Sequence, residues 1–61
     1  MTIKKGNLVK ITNNFHGHKF IIGEVVEITK ELDELEKGIQ GYRADNHLDF
    51  WFIYDNEIKK L

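Results

Sequence analysis

Apolar and polar residues alternate along five short segments of the chain, and this two-residue period is typical of β-strands. In the first segment, Leu8–Thr12, the alternation places Val9 and Ile11 on one face. The pattern therefore predicts an all-β domain of about five strands. The other four predicted strands are Glu24–Thr29, Tyr42–Asp45, Asp49–Tyr54 and Ile58–Leu61.

The fourth predicted strand contains the most apolar run of the chain, Phe50–Tyr54. Alternation places Trp51 and Ile53 on one face and the other three aromatic side chains on the opposite face. A strand that is apolar on both faces is typical of a buried position, so we expect it at the centre of a closed or sandwiched sheet. Asp and Asn favour tight turns, so Asp55–Glu57 predicts a one-turn corner before the last strand.

Lys30–Gln40 is the one candidate for a helix, because Leu32 and Leu35 lie three residues apart among acidic residues. Gly38 is a suitable residue to end such a helix. An isolated helix of two or three turns is marginal in water. We therefore predict a long acidic loop between the second and third strands, with at most one helical turn.

Polar residues and glycine mark the other connections. Asn13–Lys19 has the composition of a loop, and Asn46-His47 is predicted to be a hairpin turn. Gly23, just before the second strand, suggests a bulge or bend where the sheet coils sharply.

Composition limits the class of protein. With 61 residues, no Pro and 41% hydrophobic residues, the chain is predicted to form one small folded domain over residues 1–61. The absence of Cys excludes disulfides and thiolate metal sites. No apolar run approaches the roughly 20 residues that span a bilayer, and no apolar block follows Met1–Gly6 as in a signal peptide. We therefore expect a cytoplasmic protein without membrane contact.

Charge is distributed unevenly along the chain. Residues 1–20 carry four lysines and no acidic residue, whereas residues 21–57 carry all ten acidic residues and three basic ones. If the last strand returns beside the first, the lysines of both ends form one basic patch that suits the phosphates of a nucleic acid. The lysines of this predicted nucleic-acid-binding patch are Lys4, Lys5, Lys10, Lys19, Lys59 and Lys60.

Two other sets of residues are predicted partner-binding surfaces. The first is the acidic loop, where two leucines are rimmed by carboxylates as in a contact surface for a basic protein. It consists of Glu31, Leu32, Asp33, Glu34, Leu35 and Glu36. The second set is Phe50, Phe52 and Tyr54, which we expect to form a second core layer under the long loop, with a partner-binding surface as the alternative.

Catalytic and metal chemistry find little support in the sequence. His16 and His18 are spaced to share an ion, but zinc needs about four ligands, and only His47 and scattered carboxylates remain to complete the site. Ser and Cys are absent, and no glycine-rich phosphate loop is present. The acidic run is typical of a solvated surface. We therefore predict no metal, no cofactor and no enzymatic activity.

Several segments resemble a known family of folds. Phe52–Ile58 resembles the end of Src-homology-3 (SH3) barrels, in which a helical corner separates the fourth and fifth strands. Gly6–Ile11 and Gly23–Ile28 resemble glycine-led strands of KOW-like members. The layout is similar to that of short proteins encoded by phages and prophages of Gram-positive bacteria. The resemblance implies a small SH3-like barrel with a long acidic loop.

The resemblance also bears on ligands. Peptide-binding SH3 domains have a proline where this chain has Tyr54, so binding of proline-rich peptides is not expected. The sequence leaves two functions open. One is a non-catalytic protein-interaction module, an accessory protein of a phage or prophage that binds and modulates a host factor. The alternative is a nucleic-acid-binding barrel that contacts phosphates weakly through its lysines. In either case we expect a monomer or a weak homodimer.

Overall fold

A computed structural model describes residues 3–35 and 38–61. In these residues the chain forms five antiparallel strands and one 3₁₀ turn, Asp55–Glu57, which confirms the predicted all-β class and the predicted corner. No helix in these two stretches is long and apolar enough to cross a membrane. The strands are β1 (Leu8–Ile11), β2 (Val25–Glu31), β3 (Gly41–Asp45), β4 (Phe50–Tyr54) and β5 (Ile58–Lys60).

The strands form one sheet in the order β4-β3-β2-β1-β5. The last strand returns beside the first as predicted, with Ile58 opposite Ile11 and Lys59 opposite Lys10. The 3₁₀ turn thus carries the chain from β4 at one edge of the sheet to β5 at the other.

One face of the sheet forms the core. The alternation predicted for β1 is confirmed, since Val9 and Ile11 are fully buried. Two buried residues come from outside the strands, namely Ile3 and Phe20, and Ile3 lies in a segment whose polar composition gave no sign of burial. The other core residues are Val26, Ile28, Tyr42, Ala44, Ile53 and Ile58.

β2 is longer than predicted, because it includes Lys30 and Glu31. The bulge that the sequence suggested near Gly23 lies further along, where the register with β3 shifts between Ile28 and Lys30. Gly23 instead forms the turn before β2, with a φ of +95° that glycine adopts without strain. Residues 32–35 and 38–40 contain no helical turn, and the rest of the acidic loop lies outside the described residues.

The prediction that β4 lies at the centre of the sheet is wrong. β4 pairs only with β3, from Gly41 opposite Tyr54 to Asp45 opposite Phe50, and is an edge strand of the described sheet. Within β4 only Ile53 is fully buried. The second core layer expected under the acidic loop does not form, because Phe50 and Phe52 are exposed. Of the three outer side chains of β4 only Tyr54 is half-buried, stacked by His16 of the loop after β1.

The turn predicted at Asn46-His47 is confirmed as the connection between β3 and β4. The Asn46 side-chain oxygen accepts the backbone N–H groups of Leu48 and Asp49. His47 takes a left-handed conformation with a φ of +81°. The loop is therefore closed by local hydrogen bonds of the kind that make Asn frequent in turns.

Candidate functional site

Three consecutive aromatic residues of β4 are exposed to solvent, and we call Phe50, Trp51 and Phe52 the aromatic strip. Their exposed fractions are 41%, 41% and 46%, respectively. Phe50 and Phe52 share the outer face of the sheet and pack edge to face, with ring centroids 6.1 Å apart. Leu48, in the preceding turn, is 93% exposed. The strip is therefore an apolar surface that the described chain leaves uncovered.

Arg43 of β3 lies directly beside the aromatic strip. Its guanidinium carbon is 4.1 Å from the centroid of the Phe50 ring, within the range of a cation–π interaction. The Nε atom of Arg43 is buried and has no hydrogen-bond partner. A planar cation is thus held against an aromatic ring with a donor still unused, and Arg and aromatic residues are the types enriched at binding hot spots.

Lys19 covers the opposite side of the aromatic strip. Its Nζ atom lies 4.9 Å from the centroid of the Trp51 ring and 2.5 Å from the Asp49 carboxylate. The hydrogen bond from Lys19, followed by one from the Phe50 N–H, lowers the pKa of the Asp49 carboxyl. The structure therefore places Lys19 at the end of β4, in an ion pair, rather than among the other lysines.

The backbone edge of β4 is largely closed to an added strand. The backbone N–H of Asp55 donates to the Gln40 carbonyl, and the Asp49 carbonyl accepts the backbone N–H of Asn46. The backbone groups of the odd-numbered residues of β4 therefore bond to β3, and those of the even-numbered residues point away from it. Two outward N–H groups are already bonded within the chain, that of Phe50 to the Asp49 carboxylate and that of Tyr54 to the Glu57 carboxylate. A partner would therefore contact mainly the side chains of β4 rather than pair with its backbone.

Glu57 is a fully buried carboxylate that joins the 3₁₀ turn to the loop after β1. Its Oε1 atom accepts the Tyr54 N–H at 2.8 Å, and its Oε2 atom accepts the His16 N–H at 3.0 Å. Its backbone oxygen accepts the Thr12 N–H at 2.8 Å. This residue is therefore structural, because both carboxylate oxygens are used by backbone donors.

His18 and His16 have different environments. His18 is buried, and its Nδ1 atom accepts the Phe20 N–H. Its Nε2 atom donates to the Asn13 carbonyl at 2.6 Å and lies 3.8 Å from the Glu57 carboxylate. His16 is exposed and stacks on Tyr54 with ring centroids 3.8 Å apart. In the described stretches no three His, Cys, Asp or Glu side chains are grouped so as to hold a metal. The loop is thus anchored by its second histidine.

The acidic loop contributes to an open cleft of about 470 Å³ at the end of β3. Tyr42 donates its hydroxyl to Asp55 at 3.3 Å, and the Gln40 amide donates to the Leu32 carbonyl. Burial, followed by the negative charge of Asp55, raises the pKa of the Tyr42 hydroxyl to about 12. The cleft is lined by Ile3, Glu31, Leu32, Asp33, Gln40, Tyr42 and Asp55.

Two further predicted residues of the acidic loop, Glu34 and Leu35, are not part of the lining of this cleft. The Glu34 carboxylate accepts the Gly38 N–H at 3.0 Å, and Leu35 is 40% exposed and packs over Gly41. Glu36 lies outside the described residues. Leu32 therefore lines the cleft, whereas Leu35 is exposed and is not among the cleft residues.

We expect Tyr42 to make the protein less stable above about pH 10. In the unfolded chain its hydroxyl ionises near its usual pKa of about 10, whereas in the folded state the pKa is about 12. Its contribution is therefore complete below about pH 10 and is lost as the pH rises through about 12. Urea unfolding of the wild type and of Tyr42→Phe between about pH 9 and 11.5 tests this. An equally steep decline in both proteins would contradict it.

The lysines predicted to form a basic patch are only partly brought together. Lys10 and Lys59 are cross-strand neighbours, and Lys60 lies opposite Val9. Lys4 and Lys5 occupy the turn before β1, where the Lys4 carbonyl accepts the Asn7 N–H. Lys10 and Lys59 thus form the centre of any basic surface on this side.

Comparison with known proteins gives no match, since no family model, no curated protein and no solved structure corresponds to this chain. The aromatic strip with Arg43 lies towards one edge of the sheet, and the exposed lysines Lys10 and Lys59 lie towards the other.

Proposed function

We propose that this chain is a small SH3-like barrel that acts as a non-catalytic protein-interaction module and contacts its partner through the aromatic strip and Arg43. The observation that carries this proposal is the exposure of three consecutive large aromatic side chains on an edge strand. A domain of 61 residues has few aromatic residues with which to build a core, and this chain leaves Phe50, Trp51 and Phe52 in contact with water. Phe50 and Phe52 lie next to each other on the outer face, and neighbouring exposed apolar side chains of this kind mark interaction sites.

The SH3-like architecture is supported by the connectivity of the sheet. The strand order β4-β3-β2-β1-β5, a bulged β2, and a 3₁₀ turn between β4 and β5 all suit such a barrel. From the resemblance of the sequence, we further propose that the protein is a phage or prophage accessory protein whose partner is a host protein.

A binding role accounts for the chemistry of the site better than catalysis. Glu57 is fully buried and both of its carboxylate oxygens are bonded to backbone N–H groups, so it is shielded from a substrate. The acidic cleft is open to solvent, and its Tyr42 hydroxyl is held protonated at neutral pH. By contrast, Arg43 and the aromatic strip present a cation and exposed apolar area together.

A second candidate function is binding of nucleic acid through the lysines at the β1–β5 edge. Lys10 and Lys59 lie directly opposite each other, and like charges in this position destabilise a sheet. A phosphate backbone would relieve that repulsion and release counterions on binding. The single observation in favour of this function is therefore a charge pair that costs folding free energy.

A pull-down with paired variants distinguishes the two functions. The first bait carries Phe50→Ser with Phe52→Ser, and its matched control carries Leu8→Ser with Val25→Ser, two other exposed apolar residues of the sheet. From a Gram-positive bacterial lysate, we expect the first pair to reduce capture of the partner by roughly 10- to 100-fold, as for truncation of interface aromatics, and the control to retain it. Unchanged capture by the first pair would overturn the proposal.

The same experiment includes the nucleic-acid alternative. A third bait carries Lys10→Glu with Lys59→Glu, and each bait is also offered labelled single-stranded DNA at low and high salt. Protein interaction through the aromatic strip predicts that this charge reversal leaves protein capture unchanged. Binding of DNA by the wild type that falls steeply with salt and is lost in the third bait would favour the second function.

A further inference from the structure

Like charges also face each other in the middle of the sheet, next to the aromatic strip. Glu27 of β2 lies opposite Asp45 of β3, and Lys30 of β2 lies opposite Arg43 of β3. Both pairs belong to the outer face, because the inward positions are taken by core residues. Directly opposed like charges are unfavourable in an isolated sheet, so the fold itself gives no reason for this arrangement.

These residues form two parallel rows that cross three strands. The register places each charge pair in line with one aromatic side chain of β4. One row is acidic and the other is basic, and they are adjacent along the strands. The acidic row is Phe50, Asp45 and Glu27, and the basic row is Phe52, Arg43 and Lys30.

The charges of both rows remain uncompensated within the described chain. Among residues 3–35 and 38–61 the ion pair observed is Lys19 with Asp49, and it involves no row residue. Arg43 lies over Phe50 instead of reaching a carboxylate. The Asp45 carboxylate accepts the backbone N–H of His47. Within the described chain the row residues therefore form no ion pair, so opposite charges on another molecule can pair with them.

This pattern is complementary to itself. Two copies can face each other across a two-fold axis that lies between their sheets and runs parallel to the rows. The acidic row of each copy then lies on the basic row of the other copy. Phe50 then lies over Phe52 of the second copy. This arrangement fits a two-fold symmetric dimer, in which every contact from one copy to the other is repeated with the two copies exchanged.

We propose that a second copy of this chain binds face to face over the two rows, so that carboxylates of each copy meet cations of the other. The proposal rests on the proposed function, since it assigns a second occupant, besides the host protein, to the same aromatic surface. The patch spans only two rows and three strands, about 4.8 Å apart, so the interface lies well below roughly 1,000 Å² and the dimer is weak. It weakens further with salt.

Pairing of two copies edge to edge is a poorer alternative. Antiparallel β4 strands centred on Phe52 would oppose Asp49 of each copy to Asp55 of the other. The outward N–H groups of Phe50 and Tyr54 are also already bonded to carboxylates of their own chain. The face of the sheet, unlike its edge, offers opposite charges to a second copy.

Charge reversal provides the test. An all-acidic variant carries Lys30→Glu with Arg43→Glu, and an all-basic variant carries Glu27→Lys with Asp45→Lys. In sedimentation velocity from about 1 mM to 10 µM, the wild type is expected to dissociate on dilution, and each variant is expected to stay monomeric. An equimolar mixture of the variants is expected to form a heterodimer. A variant with all four changes exchanges the two rows and should dimerise like the wild type.

The outcomes separate this inference from the proposed function. A wild type that stays monomeric at every concentration overturns the dimer, and so does a dimer whose affinity changes less than about 10-fold on charge reversal. In either case, capture of a host protein that depends on Phe50 and Phe52 leaves the proposed function intact. Weakening of the wild-type dimer by added salt provides a reading that does not depend on the folding of any variant.

Discussion

Replacing Glu57 by alanine is expected to leave most of the protein unfolded at room temperature. The substitution removes the acceptor of two backbone N–H groups, those of Tyr54 and His16, in a fully buried position. Each part-buried donor left without its acceptor costs up to about 3 kcal/mol, and the missing side chain leaves a cavity besides. A loss of about 3–5 kcal/mol is comparable to the total stability of a 61-residue domain.

Urea unfolding followed by circular dichroism measures this effect. Glu57→Gln is expected to fall between alanine and the wild type, because its amide keeps one oxygen acceptor and turns an NH₂ group toward the other donor. The control is Asn56→Ala in the same 3₁₀ turn, where an exposed side chain makes a change below about 0.5 kcal/mol the expected result. A Glu57→Ala protein as stable as the control would show that water satisfies the two donors.

The second large effect is expected at Ile53, and its neighbour Phe52 provides the contrast. Ile53 is fully buried, so Ile53→Ala should reduce the free energy of unfolding by about 2–5 kcal/mol through lost burial and a cavity. Phe52 is 46% exposed, so Phe52→Ala should cost about 1 kcal/mol or less despite removing a larger side chain. The midpoint of thermal or urea unfolding gives both values.

This pair of substitutions tests the position of β4 directly. A central strand covered on both faces would lose more stability at the phenylalanine, because truncation of a buried Phe removes more apolar contact than truncation of Ile. The edge position predicts the reverse order. Equal losses at both positions would mean that another molecule, or another part of the chain, covers the outer face in solution.

The strands and the corner before β5 were predictable because the signals for them are local, whereas the return of β5 beside β1 was expected from the resemblance to SH3 barrels. Val9 and Ile11 alternate with polar residues, and the polar corner of Asp55–Glu57 interrupts the apolar pattern at one point. Turn chemistry and alternation depend on neighbours in sequence, so a single sequence contains both.

The position of β4 could not be obtained from the same kind of pattern. Apolar residues on both faces of Phe50–Tyr54 indicated burial, but the number of layers depends on how much chain is available to cover the second face. In 61 residues one layer of core is complete, and the aromatic strip is left outside it. The periodicity of a sequence indicates which residues share a face of a strand, but not whether another part of the chain covers that face.

The buried groups of the site were missed for a different reason. Burial of Glu57 depends on the backbone N–H of His16, which is 41 residues away in sequence. The burial of His18 likewise depends on the fold around its loop. One local signal was present, since an acidic residue at the third position of a helical turn often bonds back to the N–H before the turn.

The carboxylates of Asp49 and Glu57 have a further consequence for the behaviour of the protein at high concentration. A five-residue strand as aromatic as β4 would otherwise be a template for cross-β aggregation, since a bare sheet edge invites endless addition of strands. Because these two acids occupy the outward donors at both ends of the strand, Phe52 keeps the one outward N–H of β4 that is unbonded within the described chain. The chain can thus expose aromatic side chains while most of the outward backbone N–H groups of β4 are not free to bond to an added strand.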